Sequence, residues 1–187
     1  MEEVIEKCVS LLRDGKVILY PTDTVWGIGC DATCEEALMR IYRIKQRNEK
    51  KSMIILLDSM QRLPMYVQKI PLIAWDLLSH VTRPTTFIYP AAYNLPQKLI
   101  HEDGTIAIRI VQHEFCRQLI RALGHPLIST SANIAGESTP QTYDHISQAV
   151  ISQMDYVVPP DLATSTDFKP SRVIKFLDDY NFTIIRD

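Results

Sequence analysis

Two short segments concentrate side chains able to bind a polar or anionic ligand without obvious covalent chemistry. The first is Ser129, Thr130, Ser131 and Asn133, three hydroxyls and a carboxamide that follow the apolar run Leu127-Ile128. The second is Thr22, Asp23 and Thr24, which follow Val17 to Tyr20 and the break at Pro21. If each apolar run is a buried strand ending at Ile128 or Tyr20, both polar clusters fall in loops at the carboxyl ends of strands, where open α/β sheets bind ligands. Positive charge comes from Arg109, Arg186 and the stretch Lys45, Arg47, Lys50 and Lys51. Arg109 alternates with Thr105 and Ala107, so its guanidinium would project over small side chains, suited to a bidentate grip on a carboxylate or phosphate. An arginine on a solvated sheet face is the competing reading. The Lys45 to Lys51 cations converge on a ligand if the preceding helix ends near Lys45; otherwise they form a basic terminus favoured by the helix dipole. Arg186 is either a surface charge or a third cation for the same cleft. No histidine has a motif tying it to Ser131, so anchoring fits that serine better than nucleophilic attack.

The elements that would position these groups are legible from periodicity. Apolar residues at helical spacing predict a helix over Glu2 to Arg13, stopped at Asp14-Gly15. Thr33 and Glu36 form a capping-box pattern ahead of a helix running to about Lys45. Further helices are expected over Pro71 to His80, His113 to Leu123 with Gly124 as the stop, and Tyr143 to Gln153. Strands are expected at Val17–Tyr20, Met53–Leu57, Thr86–Tyr89, Thr105–Ile110, Tyr156–Val158, Arg172–Phe176 and Phe182–Arg186, with a turn over Asp178–Asn181. Strands and helices mixed at this density predict a single α/β domain over residues 1–187, a twisted mixed parallel and antiparallel sheet flanked by helices around a concave basic cleft.

Composition excludes several alternatives. The 187 residues are 46% hydrophobic and 22% charged, the profile of one ordinary globular domain. No apolar run reaches the roughly 20 residues of a membrane span, and the acidic start is unlike a signal peptide, so a cytoplasmic protein is expected. The cysteines at 8, 30, 34 and 116 form no paired metal or disulfide pattern. A net charge of −2 and few aromatics weigh against a dedicated nucleic-acid-binding surface.

In combination these residues resemble the YrdC-like family of threonylcarbamoyl-AMP synthases, the TsaC type. The resemblance rests on the segment Pro21 to Ala32, on Lys45-Gln46-Arg47 as a KxR motif and on Ser131-Ala132-Asn133 as an SxN motif. Ala107-Ile108-Arg109 and Pro170-Ser171 add to it. It implies a YrdC-like fold and an L-threonylcarbamoyladenylate synthase, a nucleotidyltransferase. Threonine and bicarbonate would form N-carboxythreonine, whose carboxylate attacks the α-phosphate of ATP and expels pyrophosphate, for threonylcarbamoyladenosine modification of tRNA. By the same resemblance, Lys45, Arg47, Lys51, Thr105, Ser131, Asn133, Thr139 and Arg186 would bind ATP, with Lys45 and Arg47 stabilising charge. Thr24, Arg109, Ser129 and Ser171 would bind L-threonine. Magnesium would arrive with ATP, without a protein metal site. The partner would be tRNA or a downstream tRNA threonylcarbamoyl transferase complex. Two alternatives accompany this reading: an inactive paralogue acting in RNA binding, and a carbamoyl-adenylate-forming enzyme.

Overall fold

A computed structural model describes residues 1–46, 48, 53–164 and 169–187. Its described strands are β1 (Ile18–Tyr20), β2 (Gly27–Gly29), β3 (Ile54–Leu57), β4 (Thr85–Tyr89), β5 (Ile106–Ile110), β6 (Leu127–Ser131), β7 (Tyr156–Val157), β8 (Arg172–Phe176) and β9 (Phe182–Arg186). They form one nine-stranded sheet among the described residues, in the order β7-β1-β2-β6-β3-β5-β4-β8-β9. Pairing is mixed: β1–β7, β3–β5 and β4–β8 are parallel, and the other neighbours are antiparallel. This is the mixed-sheet α/β architecture that the sequence predicts.

The helices are α1 (Glu2–Arg13), α2 (Glu35–Ile44), α3 (Leu72–Ser79), α4 (Glu114–Leu123) and the single turn α5 (Gln148–Ile151). Each long helix forms where apolar residues recur every three or four positions. In α4 the buried stripe is Phe115, Cys116, Leu119, Ile120 and Leu123, and it packs against α1, which buries Ile5, Cys8, Val9 and Leu12. Burying each large apolar side chain contributes about 1.5–3 kcal/mol before chain entropy is counted. Gly124 ends α4 at φ +83°, a left-handed conformation that glycine adopts without steric cost.

Three expectations are corrected and one strand, β2, is added. Ser129, Thr130 and Ser131 belong to β6 and not to a following loop, because Ser129 pairs with Ile54 while Thr130 and Ser131 pair with Ile28 and Gly27. Strand β2 is hidden by its composition, since two of its three residues are glycine, which is depleted in strands. Its glycines are required by packing: a Cβ on Gly29 would lie 2.2 Å from the Ile128 carbonyl oxygen and 2.6 Å from the Tyr20 ring. Thr33 does not cap α2, because its hydroxyl donates to Asp31 Oδ1 at 2.7 Å and Cys34 takes the N-cap position. The predicted helix over Tyr143 to Gln153 is a 3₁₀ turn at Tyr143–His145 followed by α5, with Ile146 and Ser147 extended between them.

Candidate functional site

A cavity of about 240 Å³ opens where β2, β6, β3, β5, β8 and β9 meet, and seven of the predicted site residues line it: Thr24, Arg109, Ser129, Ser131, Thr139, Ser171 and Arg186. Trp26, Gly27, Met53, Ile54 and Val173 complete much of the wall. The wall therefore carries two guanidiniums and five hydroxyls from these positions, with no carboxylate among the described lining residues. Gly27 keeps the floor open, since a Cβ there would sit 3.1 Å from Ser129 Oγ.

Arg109 is buried near the end of β5, between Leu56 of β3 and Thr86 of β4. Its Nη2 lies 3.2 Å from Asp23 Oδ1 and 3.5 Å from Thr22 Oγ1. Asp23 is itself fixed, with Oδ2 accepting from the Gln112 backbone N–H at 3.0 Å. The Thr22 hydroxyl donates to the Val25 carbonyl at 2.8 Å and accepts from the Thr24 N–H at 3.1 Å, closing a tight local turn. Arg109 Nε is buried and has no hydrogen-bond partner among the described residues. One edge of the guanidinium is thus anchored while donor capacity remains beside the cavity, the arrangement needed to grip an anion.

The opposite wall is built by the start of β8 and the end of β9. Arg186 donates from Nε and Nη2 to the Ser171 carbonyl at 3.0 and 2.7 Å. Ser171 Oγ lies 2.8 Å from Thr86 Oγ1, and Thr86 is the direct cross-strand neighbour of Arg109. Partial burial, and then the like charge of Arg109, lower the Arg186 pKa from its usual value. Two cations facing one cavity with a single buried carboxylate behind them favour an anionic ligand.

Other predicted residues are placed differently. Lys45, at the C-terminus of α2, is 2% exposed, and its Nζ donates at 2.6 Å to the carbonyls of both Ser131 and Asn133. Its own carbonyl accepts from the Ala135 N–H at 2.8 Å. Lys45 therefore ties the end of α2 to the SxN segment and does not line the cavity. Gln46, at φ +49°, turns the chain out of the helix. Asn133 directs Nδ2 to the carbonyls of Ile134 and Glu137 at 3.0 and 2.9 Å, which fixes its amide orientation. Its Oδ1 is buried without a hydrogen-bond partner among the described residues. Thr105 lies outside the cavity and donates to Asp103 Oδ1 at 2.6 Å. Arg47 and Lys51 lie outside the described residues.

Sequence reasoning passed over Thr86 and placed Thr22 in a polar cluster without giving it a role of its own. Thr86 carries no motif, and only the β4–β5 register places it beside Arg109. Thr22 was within reach of the sequence, because a threonine directly after a proline turn is a common side-chain-to-backbone bonding position.

The family model named for Sua5, YciO and YrdC, described as telomere recombination, matches residues 10–187. The threonylcarbamoyl-AMP synthase of Pseudoalteromonas translucida is 35% identical over 175 residues, 92% of this chain and 92% of that protein. The crystal structure of P. abyssi Sua5 complexed with L-threonine matches with a TM-score of 0.88 at 26% identity, covering 97% of this chain and 53% of that one. The present chain thus spans about half the length of that Sua5 chain. E. coli YciO matches with a TM-score of 0.86 at 26% identity over 100% of this chain and 90% of its own.

Proposed function

The chain belongs to the Sua5/YciO/YrdC family, and from that premise we propose that it is a threonylcarbamoyl-AMP synthase. The observation that carries this reading is the single cavity on which Arg109, Arg186 and the five hydroxyls converge, in a chain 35% identical to a synthase over nearly its whole length. The substrates are L-threonine, bicarbonate and ATP. A carboxylate oxygen of N-carboxythreonine forms a bond to the α-phosphorus, the bond to the β-phosphate oxygen breaks, and pyrophosphate leaves with that electron pair.

The chain's part is to position reactants and neutralise charge. Arg109, held from behind by Asp23, takes the threonine carboxylate. Thr24, Ser129 and Ser171 bond its amine and hydroxyl, which separates threonine from valine better than an apolar wall could. Arg186, Ser131 and Thr139 face the nucleotide. Arg47 and Lys51 are proposed phosphate ligands on family resemblance alone. Lys45 and Asn133 act on ATP by holding the segment that carries Ser131, whereas Thr105, outside the cavity, is assigned to the nucleotide on family resemblance alone. Magnesium enters as part of the ATP substrate, because the described lining residues include no carboxylate and Asp23 is engaged by Arg109. No helix among the described residues is long and apolar enough to cross a membrane, in keeping with a cytoplasmic enzyme that passes its adenylate to a tRNA threonylcarbamoyl transferase.

The test is pyrophosphate release from ATP, with threonine and bicarbonate omitted in turn and the nucleotide product identified by mass. Release that requires both, with threonylcarbamoyl-AMP as product, supports the assignment. ATP turnover indifferent to either co-substrate rejects it.

A further inference from the structure

A second cavity, of about 220 Å³, lies on the other face of the sheet. Cross-strand pairing fixes which face this is: Thr86 and Arg109 are partners on the face described above, whereas Phe87 and Ile108 are partners on the reverse. Phe87 and Ile110 form the floor of the second cavity, and Leu78 of α3 and Val81 form its apolar side. Its polar end is made by Arg117 of α4 with Gln112 and Ser59.

Charge at that end is unbalanced in a specific way. Asp58, also on the wall, has its charge paired by Arg121 Nε at 3.1 Å and by Arg62 Nη1 at 3.6 Å, although its Oδ1 has no hydrogen-bond partner among the described residues. Glu114, one turn before Arg117, instead accepts from Gln118 Nε2 at 2.8 Å. Arg117 Nε is buried and has no hydrogen-bond partner among the described residues. A buried donor on a charged group without an acceptor is costly, and here it borders an apolar cavity of measurable size.

We propose that this reverse-face cavity binds a small amphipathic monocarboxylate, with the carboxylate on Arg117 and the aliphatic body against Phe87, Leu78, Val81 and Ile110. A monocarboxylate on an aliphatic body fits better than a phosphate, because the walls formed by Leu78, Val81, Phe87 and Ile110 match an apolar chain and would leave the further oxygens of a phosphate unpaired. The volume falls below the roughly 300 Å³ where drug-sized pockets begin, so the ligand is small. The site is independent of the reaction on the opposite face. It lies close to it, since Gln112 lines this cavity and its backbone N–H holds Asp23.

Hexanoate is a suitable probe, titrated into the isotope-labelled full chain and followed by amide chemical shifts, with 1-hexanol and hexylamine as neutral and cationic controls. Saturable shifts at Gln112, Arg117 and Leu78 are expected with hexanoate, and weaker binding of both controls. Arg117→Met, which removes the charge and keeps the bulk, should weaken hexanoate by about tenfold, as expected for loss of one charge-assisted contact. Val81→Phe, which narrows the cavity at its rim, should abolish the shifts by a separate route. The proposal is overturned if hexanoate produces no saturable shifts, if the Arg117→Met and Val81→Phe chains both bind it as the parent does, or if the shifts cluster around Thr24 and Ser129 instead.

Discussion

Lys45 and Arg109 are both buried cations, yet the protein holds them by opposite means. The Lys45 ammonium rests on two backbone carbonyls, and its own carbonyl receives the Ala135 N–H, so that region is locked in every direction that has been described. Arg109 is paired with a carboxylate on one edge and keeps an unpartnered Nε beside the cavity. A cation resting on neutral carbonyls adds positive charge to the segment that carries them. One steadied by a buried carboxylate is oriented and retains donors for a ligand. The contrast is between a cation that braces the segment beside the cavity and one whose side chain lines it, although both stand in recognisable motifs.

The sharpest way to break that contrast is Lys45→Met. Two buried carbonyls would lose a charged donor, so stability should fall by about 3 kcal/mol and Tm by about 6–12 °C. An unchanged Tm would dismiss the anchoring role. Next is Arg109→Ala, expected to raise the threonine KM about 100-fold, some 2.7 kcal/mol, while the ATP KM changes by less than about threefold. Equal losses for both substrates would remove Arg109 from threonine binding. Asp23→Asn keeps the shape but not the charge behind Arg109, and should raise the threonine KM about tenfold with a smaller change in kcat. A lower Tm without any KM difference would reduce Asp23 to a structural role.

The smallest effect concerns pH. His113 follows Gln112 and is buried, and burial lowers its pKa from the usual 6.5 despite the nearby negative charge of Asp23. Below the usual value the unfolded chain binds the proton more readily than the folded one, so stability is complete above the usual histidine range and declines as pH falls below about 6.5 toward the lowered folded-state pKa. His113→Leu should flatten part of that decline in a Tm profile. His101, whose pKa burial also lowers, supplies a remainder of the same sign. An identical profile for the variant would show that His113 is not responsible.

Legibility varied with the physical signal. Helix α1 and the β8–β9 hairpin have the boundaries that the sequence predicts, because an amphipathic stripe and two runs rich in β-branched and aromatic residues on either side of the Asp178–Asn181 turn are local patterns. The 143–153 segment carries some apolar residues at helical spacing, but Ile146 is extended and the backbone splits into two short turns. The β2 glycines offered no propensity to read, and the hydroxyls of β6 resembled a loop until Gly27 and Ile28 paired with them.

The sequence by itself determined the α/β class, the family and most of the residues that gather at the cavity, because side-chain chemistry and periodicity are written locally. Only the tertiary structure decided that Lys45 points into the backbone and Arg109 into the cavity, and that Thr86 stands beside Arg109 while Arg117 has no acidic partner among the described residues. Those outcomes depend on strand register and on which polar partners happen to lie within hydrogen-bond distance. Both are set by contacts between residues far apart in the chain.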